Sequence, residues 1–229
     1  MPAIQAHAVA ALALYALRCA ANSTRALAAD ISVGAQSRYI TEGRDNLARG
    51  GLVTAEAGGT WRALSAGLWL GVADSTAYRE INASLSATRQ WLGSEWTLAW
   101  TRLWFEPDDS TDREWSLAWR APLASRWEAS AVAVQSVVAD GVFVELSLSR
   151  GLWQANGQRL SAVLTQGADF GYATPQYDGL NHNGLGLRYV NRLASGWQLG
   201  LAVDHNRGGP DVRRSGGGDV TWLSVSLSR

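Results

Sequence analysis

From Ile31 onward the chain reads in twos, and that period decides what it can fold into. The stretch YREINASLSATRQW (78–91) places Ile81, Ala83, Leu85, Ala87 and Trp91 on one face and Glu80, Asn82, Ser84, Ser86, Thr88 and Gln90 on the other. Side chains alternate across a strand with period two and around a helix with period 3.6, so this pattern fits a strand and no helix. It recurs over 31–41, 52–61, 64–73, 96–105, 112–120, 127–137, 142–153, 159–172, 180–190, 197–206 and 219–228. Most of these segments have at least nine residues, the length a tilted strand needs to cross a bilayer core. Soluble sandwiches use shorter strands, about 5–6 residues. The hydrophobic fraction is 47% while the mean hydropathy is −0.09, as expected of a sheet that is apolar on one face only.

The connections alternate as well. One set is short: Arg62-Ala63, 92–95, 121–126, 154–158 and 191–196. The other is longer on average and richer in charge or glycine: 42–51, 74–77, 106–111, 138–141, 173–179 and 207–218. Trp61, Trp91, Trp96, Trp119, Trp127, Trp153 and Trp197 sit beside the short set. Short turns on one side, long loops on the other and an aromatic girdle are the signature of an outer-membrane barrel. The expected fold is therefore all-β: a closed antiparallel transmembrane β-barrel of about twelve strands, with short periplasmic turns and longer outer loops. The chain closes on Trp222-Leu223-Ser224-Val225-Ser226-Leu227-Ser228-Arg229, which alternates but lacks the aromatic end common in such barrels.

Residues 1–29 differ from the rest. They carry an apolar run from Ala8 to Leu17, no acidic residue, and Ala26-Leu27-Ala28 as a small-x-small site, although no Lys or Arg lies near Met1. The segment reads as a secretory signal peptide, the competing assignment being a short amphipathic helix. The expected organisation is a signal peptide over 1–29 and an outer-membrane β-barrel over 30–229. Cys19 is the one cysteine, and Arg18 before it argues against a lipid anchor. Removal of the segment would leave no disulfide framework and no thiol nucleophile. It would also take Arg18 and Arg25, leaving slightly more acids than arginines and no signature of a nucleic-acid partner.

One charged knot interrupts the alternation: SRYITEGRDNLARGG, residues 37–51. It is expected to be an outer loop, bent at Gly43, Gly50 and Gly51, with its charges facing water or lipopolysaccharide. Ser32-Val33-Gly34, Ser37-Arg38-Tyr39 and Gly43-Arg44 resemble the TorF-like putative porin family and related uncharacterised proteobacterial outer-membrane proteins. That resemblance implies a barrel. The stretch 208–219 reads as a mobile outer loop whose Arg213 and Arg214 could touch lipid phosphates.

The polar face is the expected lining of the lumen. It carries Glu56, Glu80, Glu114, Glu128, Glu145, Asp169 and Asp204 against Arg38, Arg120, Arg159 and Arg188, with His182 near the outer rim. The excess of acids points to a weak preference for cations in an open pore. A salt-bridged plug is the competing reading, because a barrel of this size has a narrow lumen. On β-strand 96–105, Arg102 shares a face with Trp96, Leu98, Trp100 and Trp104, so either Arg102 snorkels or that face points inward. An enzyme is not expected. Only His182 and His205 remain beyond residue 29, and neither forms a His-x-Ser pair. Asp108, Asp109 and Asp112 lack EF-hand spacing, and 208–219 lacks the P-loop lysine, so no metal or cofactor is expected. The functional expectation is a porin-like channel for passive diffusion of small solutes. A closed structural or surface-interaction barrel is the alternative, and a lipid-modifying enzyme the third. Expected partners are outer-membrane lipid, lipopolysaccharide, the barrel-assembly machinery and small solutes.

Overall fold

The computed structural model describes residues 28–229 apart from Ala48 and Gln176. All of the proposed signal segment before Ala28 lies outside the described residues. The strands are β1 (Ala28–Gln36), β2 (Ile40–Thr41), β3 (Arg44–Asp45), β4 (Leu52–Trp61), β5 (Leu64–Ala73), β6 (Arg79–Trp91), β7 (Ser94–Glu106), β8 (Ser110–Ala124), β9 (Trp127–Ser136), β10 (Gly141–Ala155), β11 (Gln158–Phe170), β12 (Asp178–Arg192), β13 (Gln198–Gly208) and β14 (Val220–Ser228). One short helix, α1 (Pro210–Arg214), precedes β14. Twelve of the strands form a closed antiparallel barrel, as the alternation predicts, with β2 and β3 standing apart as a small hairpin.

Neighbouring strands pair in sequence order, and β1 closes the cylinder by pairing with both β4 and β14. The seam ends in two reciprocal backbone bonds, Ile31 N–H to Arg229 O (3.1 Å) and Arg229 N–H to Ile31 O (2.9 Å). A closed barrel leaves no edge unpaired, which is what a bilayer demands of a sheet.

The outward face is the apolar one. Leu68, Leu85, Leu146, Leu164, Leu185 and Leu223 are each more than half exposed. Such a belt would be costly in water and is at home against acyl chains. Strand β6 keeps the expected faces: Leu85 is exposed, and Ser84 looks inward onto a cavity shared with Gly67 and Ser86. At the short-turn end Trp61, Trp91 and Trp153 stand exposed. Trp61 lies under the Arg62 guanidinium (4.7 Å), and Trp91 packs against Trp96 (6.3 Å). The turns there are tight. Leu92-Gly93 and Asn156-Gly157 both take two successive positive φ angles, the two-residue geometry that matches strand twist.

Arg102 resolves toward the snorkelling alternative. Its strand partner Ala83 lies between the outward residues Ile81 and Leu85, so Arg102 is on the lipid side. Its guanidinium donates to Thr111 Oγ1 (3.1 Å) and lies over the Trp104 ring (5.7 Å). Both partners are one outward position nearer the long-loop end, where a charge can leave the hydrocarbon.

Two loop expectations are corrected. Strand β1 ends at Gln36, five residues before the alternation suggests, and Tyr39 does not continue the β1 face of Val33 and Ala35 but is buried beyond the strand's end. The segment 37–51 turns into the barrel mouth. The segment 208–219 is pinned: Asp211 and Val212 are fully buried in α1. Arg213 pairs with Asp219 (2.8 Å), and Arg214 lies over Tyr177 (4.0 Å), so both arginines are engaged within the loops.

Candidate functional site: a latched hairpin in the barrel mouth

The hairpin β2–β3 turns on Glu42-Gly43, with φ of 44° and 70°. Glycine is needed twice at position 43. The φ angle is left-handed, and a Cβ would lie 2.5 Å from Asn181 Oδ1 and 2.6 Å from His182 Nδ1. The tip therefore presses on β12, three strands round the barrel from β1.

Apolar packing holds the root of the hairpin. Tyr39, Leu47, Leu52 and Ala73 form a buried cluster, with Trp69 and Tyr78 against it. Tyr39 stacks on Trp69 (6.4 Å between centroids) and tilts against Tyr78 (5.8 Å). Both phenols donate to one carboxylate oxygen of the buried Glu80, Tyr39 at 2.6 Å and Tyr78 at 2.5 Å, and Asn82 donates to the other at 2.7 Å. Burial and the Glu80 charge push the Tyr39 hydroxyl far above its ordinary range, so it remains a donor.

Charge holds the tip. Arg44, with 13% of its side chain exposed, donates to Asp211 Oδ2 at 2.5 Å and lies 3.7 Å from Asp169. Its guanidinium also meets Thr174 and Ser215 Oγ (3.1 Å). Asn181 donates to Asp211 (2.7 Å), and the backbone N–H groups of Tyr172, Ala173 and Thr174 cap Asp169. A buried ion pair is sustainable only with such a shell of hydrogen bonds. The charges of 37–51 were expected in water. Arg44 goes inward because two buried carboxylates wait there.

At the turn itself sits Glu42. Burial raises its pKa to about 7, with Glu114 and Glu80 adding to the rise against the Thr41 hydroxyl and Arg44. Tyr172 donates to Glu114 across the mouth. His182 is stacked on Phe143, with Nδ1 2.7 Å from Asn181 Oδ1 and Nε2 3.5 Å from Glu145.

The residues anticipated for the lumen thus lie in four places. Glu80, Glu114, Glu145, Asp169 and His182 surround the hairpin. Arg188 and Asp204 pair beneath it at 3.1 Å. A cavity of about 290 Å³ bordered by Glu42, Glu145, His182, Arg188 and Asp204 separates the two sets. Toward the short turns, Glu56 lines a space of about 600 Å³. Arg159 lines one of about 380 Å³ with Arg120, Arg126 and Glu128, Glu128 being 3.5 Å from Arg120. Arg38 lies at the outer rim, paired with Asp45 at 3.0 Å and half exposed. The site also contains Tyr39, Glu42, Arg44, Tyr78, Tyr172, Asn181 and Asp211, which the polar-face reading does not reach. For Tyr39, Glu42 and Arg44 the signal was the charged knot itself, five charges within residues 37–51; Tyr78, Tyr172, Asn181 and Asp211 lie outside it.

No family model matches the chain. None of the curated proteins matches it. Among solved structures, the barrel resembles the KdgM porin with a TM-score of 0.61 at 7% identity, covering 87% of this chain and 97% of that one. A KdgM porin in complex with disordered oligogalacturonate gives 0.60 at 7% identity, with coverage of 87% and 97%. The NanC porin gives 0.53 at 7% identity, covering 89% of this chain and 98% of that one. The fold is that of an outer-membrane porin barrel.

Proposed function

We propose that this chain is an outer-membrane channel for the passive diffusion of small solutes, with a weak preference for cations, narrowed at its outer mouth by the hairpin β2–β3. The reading takes residues 1–29 as a signal peptide, the long loops as outward, and a TorF-like affinity on the motif around Ser37-Arg38-Tyr39. The observation that carries it is the combination of open space on the short-turn side of the hairpin, bordered by Glu56, with a cavity below the hairpin bordered by Glu42 and Glu145. Carboxylates on a low-dielectric wall act strongly on a passing ion. Arg44, Arg188 and Arg159 offset part of the field, which keeps selectivity modest. Oligogalacturonate, present in one KdgM structure, is a string of carboxylates and would meet like charge at this mouth, so the proposal does not extend to it.

The test is reversal potential across a planar bilayer under a potassium chloride gradient. Cation preference that falls in the Glu56→Gln, Glu145→Gln double variant is the expected result, and anion preference in the wild type overturns it. A second reading is favoured by the Arg44–Asp211 contact: a closed structural barrel, sealed by its own loop. Absence of conductance in the wild type, with conductance appearing in a variant lacking 40–46, would establish that reading instead.

A further inference from the structure

Two arginines face each other on the outer wall. Arg102 of β7 and Arg113 of β8 are direct partners in the antiparallel register. Both belong to the lipid-facing set, with Trp100 and Trp115 paired one step toward the belt and Trp104 and Thr111 paired one step toward the long loops. Like charges placed directly opposite each other on paired strands repel, and the cost rises at a membrane surface where water is scarce.

The neighbouring carboxylates do not relieve this pair. Glu106, on the same face, is bound to Arg79 at 3.0 Å. Asp112 accepts from Ser136 Oγ (2.5 Å) and from the Val138 N–H (3.1 Å). Among the described residues, neither Arg102 nor Arg113 lies within ion-pair distance of an acid. Asp108 and Asp109 stand exposed in the β7–β8 turn beyond them.

Arg102 is held rather than free. Its contacts with Thr111 and Trp104 aim the guanidinium toward the long-loop end. Exposed Trp104, Trp115, Val137 and Val138 flank the two cations. The patch thus offers two fork-shaped donors at one level of the wall and apolar surface on either side. A group that satisfies it carries oxygen anions next to acyl chains. Guanidinium forks suit phosphate geometry.

We infer that Arg102 and Arg113 form a binding site on the barrel exterior for a phosphate group of an outer-leaflet lipid A molecule, whose acyl chains run toward the belt along Trp100 and Trp115. The inference rests on the orientation adopted above, with long loops outward, and needs nothing of the lumen. It relocates lipid contact from the α1 loop, where Arg213 and Arg214 are engaged, to the wall between β7 and β8.

The experiment is native mass spectrometry of the refolded full chain in detergent, titrated with diphosphorylated lipid A, dephosphorylated lipid A, phosphatidylglycerol and inorganic phosphate. Folding of each variant is checked by heat-modifiable gel migration. At roughly 1 kcal/mol per surface arginine, the R102Q/R113Q variant should bind diphosphorylated lipid A about 30-fold more weakly. R89Q, an outward arginine at the short-turn end, should bind as the wild type does. Dephosphorylated lipid A binding as tightly as the phosphorylated form overturns the site, as does undiminished binding by R102Q/R113Q. Displacement by millimolar inorganic phosphate, or equal affinity for phosphatidylglycerol, overturns the assignment to lipid A. A barrel that conducts nothing yet binds lipid A through these arginines sinks the channel and leaves the site standing; a conducting barrel with unaltered binding in R102Q/R113Q does the reverse.

Discussion

Arg44 and Asp211 meet at 2.5 Å although 167 residues separate them in the chain. One belongs to the hairpin after the first barrel strand, the other to the helix before the last. Their contact turns an outer loop into a plug fastened to the segment that joins the last two strands.

Breaking that contact should open the mouth. Removing one partner of a buried, hydrogen-bonded ion pair typically costs about 3–5 kcal/mol, because the other charge is left unpaired. In Arg44→Ala that cost falls on hairpin docking, since the barrel ladder does not include β2 or β3. Conductance should rise and proteases should gain access to 38–47, while heat-modifiable migration stays that of a closed barrel. Loss of the barrel itself would mean that the hairpin is part of the wall's stability.

Conductance should depend on pH through Glu42. Its pKa rises from an ordinary 4.5 to about 7 in the docked state, burial being the main cause. A carboxyl raised in this way favours the docked form when protonated. Docking is therefore strongest below about pH 4.5, weakens as pH climbs toward about 7, and levels off above it. Above that range the carboxylate feels Glu114 and Glu80, opposed by the Arg44 guanidinium. Conductance measured from pH 4 to 9 should rise through this window in the wild type and stay flat in Glu42→Gln.

The faces of β6 can be tested directly. Leu85→Arg puts a charge in the lipid belt and should cost about 2–4 kcal/mol near the bilayer midplane. Ser84→Arg points into the cavity of about 600 Å³ beside Gly67 and Ser86 and should fold normally. Refolding yield and urea denaturation in lipid vesicles measure both. The opposite pattern would invert the register of β6.

Gly43→Val combines a φ of 70° with a Cβ about 2.5 Å from Asn181. The tip should then withdraw from β12, mimicking Arg44→Ala in conductance without altering charge.

Processing is expected just after Ala28, with the mature chain starting at Ala29 or Asp30. N-terminal sequencing of membrane-extracted protein decides this, and a retained Met1 counts against export.

The wall of this molecule was legible because its cause is local. Each strand must present apolar and polar residues alternately to lipid and lumen, and a window such as 78–91 displays that requirement in full. The hairpin was not legible for the converse reason. Residues 37–51 are as polar as an outer loop should be, and nothing near Arg44 in the chain announces that Asp169 and Asp211 will supply its counter-charges. Tyr39 continues the parity of Ile31 and Val33, so alternation assigns it outward; the chain has already left the barrel wall at Gln36. Helix α1 is a single turn of five residues, too short for any period to emerge. Its burial follows from Val212 and Asp211, whose partners are also distant.

The seam between β1 and β14 has a kinetic consequence. Each of the other wall contacts joins strands that are close neighbours along the chain, and such pairs can zip as hairpins. The seam must wait for β14, and so must the latch, because Asp211 sits a few residues ahead of that strand. A chain with β4 to β13 already assembled still has a gaping side and a β2–β3 segment packed at its root but not latched to Asp211. Cylinder closure and plug engagement are thus two outcomes of one late event, the arrival of residues 210–228, and a catalyst that holds the gap ajar would also hold the pore unplugged.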